Sequence, residues 1–239
     1  MNLRVKFRKL GSVRFIGHLD VMRFFQKAIR RAGIDVAYTT GFSPHQIMTF
    51  AAPLGVGLES NGEYMDIEVH SISSCQDIMD RLNRASVPGI EITSVKILPE
   101  NAGNAMASVA AAAYTVRFRE GKIPQADLAS HLPVFLSRQE IWITKETKKG
   151  TREVDIRPGI LDLTFSDGVF HMLVDASSAG NIKPEQVIGA LLAQSQEACR
   201  EDDTESLQEN ALWITREDVY TRQECGLLSL GDVGSATVS

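Results

Sequence analysis

Cysteine is scarce in this chain, and the spacing of its three cysteines excludes several kinds of site. Cys75, Cys199 and Cys225 lie far apart and form neither a C-x-x-C pair nor a three-cysteine cluster. We therefore expect no disulfide, and no iron–sulfur or zinc site that this chain could build alone. The histidines and acids show no H-x-x-x-H or comparable ligand spacing, so no metal site is predicted.

Long hydrophobic runs are also missing. No apolar segment approaches the roughly 20 residues that a membrane-spanning helix needs. The N-terminus MNLRVKFRKL lacks the apolar region of a signal peptide. With 44% hydrophobic and 23% charged residues, the composition is that of a soluble globular protein. Together these features predict a cytoplasmic protein without membrane association.

The common nucleotide-binding and acyl-transfer motifs are absent. The chain contains no Walker A sequence and no G-x-S-x-G. The segment Gly55-Val56-Gly57 is not a dinucleotide fingerprint, because no strand–G-x-G-x-x-G–helix unit surrounds it. The sequence therefore carries no motif for nucleotide hydrolysis or acyl transfer.

The formal net charge of −5 conceals a strong asymmetry along the chain. Residues 1–34 contain nine Lys or Arg and a single acid, Asp20, which gives this segment a charge of +8. The remaining residues therefore carry −13, and residues 196–239 alone have ten acids against three Arg. An acidic protein with one basic face can still bind phosphate groups at that face.

The first 98 residues show the periodicities of a β-α-β-β-α-β order. Alternating apolar residues over 3–7 predict a strand, and helical periodicity predicts a helix over 17–32. Further strands are predicted at 34–38, 63–70 and 90–98, with a second helix that Ser74 caps. This order is typical of a ferredoxin-like sandwich of helices on an antiparallel sheet.

The second half is predicted to repeat that content. Residues 99–113 are small and nearly uncharged and predict a linker, although their alanines could also extend a helix. Residues 114–224 predict a second α+β domain, and the Gly/Ser-rich tail 225–239 is expected to be disordered. The expected fold class is α+β, with two ferredoxin-like (βαββαβ) sandwiches on antiparallel sheets, the first over residues 1–98.

The helix predicted over 17–32 has two chemically distinct faces. Its apolar residues form one arc, and Arg23, Lys27, Arg30 and Arg31 fall together on the opposite side. Most charged stripes are solvated surface, but such a surface usually mixes signs, and this one is almost purely cationic. Phosphate binding and a plain solvated face both remain open.

A second basic patch is predicted on a hairpin in the second half, with Lys145, Lys148, Lys149 and Arg152. Two acids, Glu146 and Glu153, dilute its charge. This mixture favours an ordinary solvated surface over a binding site.

Four polar residues near the basic helix could carry chemistry: His18, Asp20, His45 and Glu59. His18 and Asp20 fall in the first turn of the predicted helix, and His45 follows Pro44 in a glycine-bearing loop. His18, Asp20 and His45 are therefore candidate acid–base groups. The alternative is that Asp20 only offsets the helix dipole and that His18 packs.

Three stretches together resemble a known family: RFIGHLDVMR at 14–23, GFSPH at 41–45 and GEYMDI at 62–67. The chain is similar to the DUF2344 family, also called the radical SAM-linked or radical SAM-associated family. The resemblance spans most of residues 1–195 and is strongest over 2–70. The positions that match the family pattern are His18, Asp20, Gly41, Phe42, Pro44, His45 and Glu63.

The resemblance implies a bacterial protein encoded beside, or fused to, a large radical SAM protein, with its own activity unassigned. An iron–sulfur cluster and S-adenosylmethionine would then belong to the partner, and this chain would hold no cofactor. The sequence departs from the family at Gly17 and Ser43, where Ser and Asn are expected. It also has Gln46-Ile47 in place of the usual Pro-Lys, which removes a cation from the site.

These observations lead to three hypotheses. The chain is a radical SAM-associated accessory protein that binds RNA or another phosphate-rich substrate for its partner enzyme. Alternatively, it is a stand-alone acid–base enzyme acting on RNA or a small phosphorylated substrate, or a protein–protein adaptor that docks through its acidic C-terminal third. The residues assigned to substrate or phosphate binding are Arg4, Lys6, Arg23, Lys27, Arg30, Arg31, Gly41, Phe42 and Ser43.

Overall fold

The computed structural model describes residues 1–124, 127–147, 150–196 and 211–237. The chain divides into two compact units, one formed by residues 1–110 together with 216–239 and the other by residues 111–215. This division differs from the predicted boundaries, because the C-terminal segment returns to the first unit. No helix in the described ranges is long and apolar enough to cross a membrane.

Helices and strands alternate along the chain in an α+β arrangement. The helices are α1 (His18–Arg31), α2 (Cys75–Ala85), α3 (Ala105–Ser108), α4 (Leu128–Ser137) and α5 (Pro184–Gln196). The strands are β1 (Asn2–Lys9), β2 (Met48–Phe50), β3 (Glu59–Glu68), β4 (Ile90–Ile97), β5 (Val109–Phe118), β6 (Trp142–Thr147), β7 (Gly150–Asp155), β8 (Ile160–Ser166), β9 (Val169–Asp175), β10 (Leu212–Gln223) and β11 (Gly226–Ser229).

The first unit is built on a mostly antiparallel sheet with β1 near its centre. β1 pairs antiparallel with β4 on one side and with β3 on the other. β3 also pairs with β2, the part of β10 from Arg216 onward lies beside β3, and β11 pairs with β10. The alternation predicted over 3–7 is confirmed, since Leu3, Val5 and Phe7 are buried in the core.

Two helices complete that core. α1 buries Phe25 and Ile29, and α2 buries Ile78 and Leu82, all in one hydrophobic cluster with the apolar side chains of β1, β3 and β4. Ser74 caps α2 as predicted, because its hydroxyl accepts a hydrogen bond from the Asp77 amide at 3.0 Å. The amphipathic helices predicted from periodicity are therefore confirmed at nearly their expected ends.

The strand predicted over 34–38 is not formed. Val36 and Tyr38 make only isolated bridges, to Val69 and Gln46 respectively. The prediction failed because residues 48–50 occupy the edge of β3 instead, with Met48 opposite Ile67. Short β2 lies within what the sequence indicated to be a connecting loop.

The linker predicted over 99–113 contains regular structure. Asn104 caps the short helix α3, and its alanine-rich continuation forms the first half of β5. Ala111 and Ala112 are fully buried there. Small, uncharged residues are typical of a linker, whereas here their size permits close packing inside a sheet.

The second unit contains a three-stranded antiparallel arrangement in the order β5-β9-β8 and a separate hairpin, β6–β7. The sequence Ser166-Asp167-Gly168 is typical of a hairpin turn, and Asp167 and Gly168 both have positive φ between β8 and β9. Pro184 is favourable at the start of a helix, and α5 begins there. The turn residues Lys148 and Lys149 of the predicted basic hairpin lie outside the described residues, as does the acidic stretch 197–209.

The tail predicted to be disordered forms part of the first unit. It contains β11 and a short 3₁₀ turn over 230–232, and Ser235 makes a bridge with Ile97. Leu230 is completely buried. Its glycine and serine content predicts disorder, but the segment is ordered because Leu230 is buried in the core and β11 pairs with the edge of β10.

Replacing Leu230 with Ala should destabilise the protein by about 2–5 kcal/mol, since a fully buried leucine would leave a cavity. Urea unfolding followed by circular dichroism measures the effect. The control is Leu19→Ala, because Leu19 is 59% exposed on α1. Equal unfolding midpoints for the two variants would show that the tail does not contribute to the folded unit.

Candidate functional site

The outward face of α1 carries the cations that the sequence predicted. Arg23, Lys27, Arg30 and Arg31 are all exposed, while Val21 on the opposite face is buried. Arg23 forms an ion pair with Asp20 at 3.3 Å, and both side chains are exposed. Such a pair adds little stability and is easily exchanged for another anion.

The cationic face extends from α1 to the end of α2. An open depression of about 700 Å³ is lined by Arg31, Arg81, Arg84 and the residues that follow α2. Arg31 donates to the carbonyl of Ala85 at 2.7 Å, and Arg81 donates to the carbonyl of Ala32 at 2.8 Å. Arg84 is exposed beside them. The α1 face is thus one edge of a wider basic surface.

His18 packs at the first position of α1. Its ring meets that of Phe50 edge-on, with 5.2 Å between centroids, and Phe50 in turn contacts Phe7 and Phe25. The imidazole is half-buried as a result. Its observed contacts are therefore those of a packing residue at the rim of the core.

The loop over 41–45 is exposed and held by a short hydrogen-bonded bridge. The His45 amide donates to the Thr39 hydroxyl at 3.1 Å, and His45 Nδ1 lies 3.1 Å from the same oxygen and 3.3 Å from the Ser43 carbonyl oxygen. Gly41 has φ of 117°, which favours glycine, and the Phe42 ring is fully exposed. The loop therefore presents an aromatic ring to solvent.

The three candidate acid–base groups have separate partners. His18 contacts Phe50, Asp20 contacts Arg23, and the His45 ring contacts the backbone and side chain of its own loop. Within the described residues no hydrogen bond or ion pair joins any two of them. Their assignment as catalytic residues stays a prediction.

Arg4 and Lys6 do not belong to the cationic surface, contrary to the prediction. Arg4 is 3% exposed and donates two hydrogen bonds to the carboxylate of Asp66, at 2.8 and 2.9 Å. Lys6 pairs with Asp218 at 3.3 Å and lies over the ring of Tyr64. Strand alternation could not show that these side chains meet acids on neighbouring strands.

A buried ion pair joins the GEYMDI stretch to β10. Arg216 donates to both carboxylate oxygens of Glu63, at 2.8 and 2.6 Å, and to the carbonyl of Ala52 at 2.6 Å. Arg216 and Glu63 are both buried. Bidentate geometry of this kind is what a buried guanidinium–carboxylate pair requires.

The residues on either side of Glu63 also contact β10. A Cβ on Gly62 would lie 2.6 Å from the Glu217 carbonyl oxygen, so only glycine permits the approach. The Tyr64 hydroxyl donates to Asp218, and both burial and this carboxylate raise the pKa of Tyr64. Gly62-Glu63-Tyr64 thus joins three residues of β3 to β10. Arg216 and Asp218 were missed because they lie more than 150 residues away in sequence.

Lys9 and Glu59 fix the turn that precedes α1. The Lys9 ammonium is buried and donates to the carbonyls of Arg14 and Ile16, at 3.2 and 3.0 Å. Burial lowers the pKa of Lys9. Glu59 accepts a hydrogen bond from the Gly11 amide at 2.8 Å and lies 3.5 Å from Arg14. Glu59 therefore has a structural role in the first unit.

Gln46, where the family resemblance implies Pro, also has a packing role. Its side-chain amide is buried and donates to the carbonyl of Gln26 on α1 at 3.3 Å. Gly17, where Ser is expected, begins α1 without a side-chain cap. Both departures alter how the loop and helix are held and leave the cations of α1 in place.

No group of three or more His, Cys, Asp and Glu that could hold a metal ion occurs within the described ranges. Cys75 is buried, which raises the pKa of its thiol, and Cys225 is exposed. Cys199 lies outside the described residues.

Fold and surface together define an α+β protein whose first unit presents a basic helix. Residues 2–184 match the family described as an uncharacterised protein conserved in bacteria, DUF2344. The chain belongs to this family, as its motifs predicted. A comparison with curated proteins found no match. Arg216 and Asp218 lie beyond the matched span.

Removing one partner of the Arg216–Glu63 ion pair should strongly destabilise the first unit. Arg216→Met should lower the free energy of unfolding by about 3–5 kcal/mol, because it leaves Glu63 buried without its cation. The double variant Glu63→Leu/Arg216→Met should recover much of that loss. Urea denaturation at neutral pH gives all three values.

Arg222→Met is the matched control, since Arg222 lies on the same strand but is exposed. It should change stability by no more than about 0.5 kcal/mol. If the double variant is no more stable than Arg216→Met, uncompensated charge is not the cause of the loss.

Proposed function

We propose that this protein is a non-catalytic accessory module that binds RNA or another phosphate-rich substrate through α1. The observation that carries the proposal is the exposed, almost purely cationic face formed by Arg23, Lys27, Arg30 and Arg31. Two cations of β1, Arg4 and Lys9, are by contrast buried and bonded to an acid or to backbone carbonyls. The four cations of α1 are instead exposed along one face of a single helix.

The geometry of this face suits a phosphate backbone. At 1.5 Å per residue the 14-residue helix is about 21 Å long. Its cations lie along that length at spacings of three and four residues, which places them on one side. Each phosphate contact would release bound counterions, so affinity should fall steeply with salt.

We further propose that the protein acts with a radical SAM enzyme in the cytoplasm. The support is the resemblance of its motifs to a family whose genes lie beside, or are fused to, radical SAM genes. In this scheme the partner holds the iron–sulfur cluster and S-adenosylmethionine. The Phe42 ring is exposed in the loop before Gln46, which is hydrogen-bonded to Gln26 of α1, and it offers a base-stacking group for a single strand.

We also infer that both units are ferredoxin-like sandwiches. In the first unit the strand order β4-β1-β3-β2 matches that fold, with α1 and α2 as the two helices. In the second unit the order is β5-β9-β8, and β6–β7 forms a separate hairpin. Leu212 at the start of β10 accepts a hydrogen bond from Arg119, next to β5.

Binding should be tested by fluorescence anisotropy with labelled single-stranded RNA and transfer RNA at several salt concentrations. Charge reversal of two α1 cations, Arg23→Glu/Lys27→Glu, should weaken binding to all sequences alike, because phosphate contacts carry no base information. The slope of log affinity against log salt should fall in magnitude by about 1.4 on single strands.

Lys122→Glu/Arg222→Glu is the matched control, with the same change in net charge at two exposed sites that are not part of α1. It should retain most of the affinity. Absence of binding to the wild-type protein at low salt, or equal losses in both double variants, would rule out the α1 face as the binding surface.

The partnership should be tested by co-expression with the radical SAM protein encoded beside a DUF2344 gene in the same genome. We expect the two proteins to co-purify, and Arg23→Glu/Lys27→Glu to leave co-purification intact. Neutralising Glu201, Asp202, Asp203 and Glu205 to the corresponding amides tests the adaptor alternative. Loss of the partner in that variant alone would favour docking through the acidic stretch, and failure to co-purify at all would contradict the partnership.

A further inference from the structure

A cavity of about 340 Å³ lies within the second unit. One wall is the β6–β7 hairpin, with Lys145, Arg152 and Val154. The opposite wall is the segment after β9, with Gly180 and Ile182. Cavities of this size hold small ligands.

Two cations face each other on the hairpin wall. Lys145 and Arg152 are directly opposite in the β6–β7 register, so their side chains lie on the same face and point into the same cavity. Like charges in opposed positions destabilise a strand pair. Within the described residues no carboxylate lies within ion-pair distance of either cation. These two cations therefore make the hairpin wall of the cavity positively charged, which favours an anion there.

The ammonium of Lys145 is held by neutral groups. It lies 3.3 Å from the Asn181 carbonyl oxygen and 3.5 Å from that of Gly180. Burial lowers the pKa of Lys145, and the positive charges of Lys183 and Arg152 lower it further. Two cations, Lys145 and Arg152, therefore line the cavity, and Lys183 adds positive charge close to Lys145.

The two acids in the cavity wall are engaged with the backbone. Asp155 accepts hydrogen bonds from the amides of Ile141 and Arg157, at 2.8 and 3.0 Å. Asp175 accepts one from the Ser177 amide at 2.7 Å. These contacts shape the two loops and offset part of the acids' negative charge.

The loops themselves pack too closely for any residue but glycine at two points. A Cβ on Gly159 would collide with Ile182, and one on Gly180 would collide with Asp175. Asn181, which follows, has a positive φ of 44°. The cavity therefore has tightly packed walls and is not a loose gap between mobile loops.

We propose that this cavity binds the phosphate group of a small phosphorylated molecule, with Lys145 and Arg152 supplying the positive charge. Two apolar side chains in the wall, Val154 and Ile182, would contact the body of the ligand. Arg152 can bind two phosphate oxygens through its planar guanidinium, and Lys145 contributes a point charge. The site is independent of the nucleic-acid surface proposed for α1.

The test is isothermal titration calorimetry of the full-length protein with inorganic phosphate and with phenyl phosphate, at constant ionic strength. Both should bind, and phenyl phosphate more tightly. Lys145→Gln and Arg152→Gln should each weaken binding by about tenfold or more, as expected for loss of a charged hydrogen bond. Lys122→Gln, an exposed cation in the same unit, should bind as the wild type does.

A second readout separates a ligand site from a structural role. In phosphate-free buffer Lys145→Gln should unfold at the same temperature as the wild type or higher, because removing one of two opposed cations relieves repulsion. At the same phosphate concentration the midpoint should rise clearly for the wild type and by less for the variant, because the variant binds phosphate more weakly. Arg23→Glu/Lys27→Glu should bind both probes normally.

Three results would overturn the proposal. The first is no binding of either probe at low ionic strength. The second is an affinity that Lys145→Gln and Arg152→Gln leave unchanged, and the third is an equal loss in Lys122→Gln. Equal affinity for inorganic phosphate and phenyl phosphate would contradict the proposed apolar contact of the ligand with Val154 and Ile182.

Discussion

The first unit depends on one buried interaction, the ion pair between Arg216 and Glu63. Burying a guanidinium and a carboxylate costs free energy, because both charges are removed from water. The bidentate hydrogen bonds between the two groups offset this cost only when both residues are present. Arg216 also donates to Ala52, in the segment between β2 and β3. The same segment contacts the turn before α1, since Gly57 donates to the Arg14 carbonyl. One pair thus connects the C-terminal strand, the β3 motif and the approach to the basic helix.

The fold separates buried cations from exposed ones, a difference that composition alone does not show. Arg4 and Lys9 lie among the nine basic residues of the N-terminal segment, yet both are buried and bonded to acids or carbonyls. Arg23 and Lys27 are exposed on α1. A binding surface must consist of exposed cations such as Arg23 and Lys27. A buried cation that is already paired would have to give up its partner in order to bind a phosphate. The proposed nucleic-acid surface is therefore narrower than the charge count indicates.

Neighbouring like charges distinguish the two candidate sites from the buried pairs. In the second unit Lys145 and Arg152 face one another across a hairpin, where packing alone would favour opposite signs. On α1 the cations follow one another along a single face with one acid, Asp20, among them. Groups of like charges at positions where opposite signs would be more stable are characteristic of functional surfaces. Both proposals rest on where these cations lie and not on the net charge of the chain.

Local pattern was sufficient for α1, α2 and β1 and for the family. Periods of 3.6 and 2 identified these three elements, because each buries one face against a core. Local pattern was not sufficient for α3, β2 or β11, or for the partners of Arg4 and Glu63. Those depend on which strand edge is free and on which residues meet across 62 positions of chain for Arg4 and 153 for Glu63. The sequence by itself determined the amphipathic elements and the basic helix face, since these follow from neighbouring residues. Only the tertiary structure decided which charges are paired, because long-range pairing depends on strand order and not on spacing along the chain.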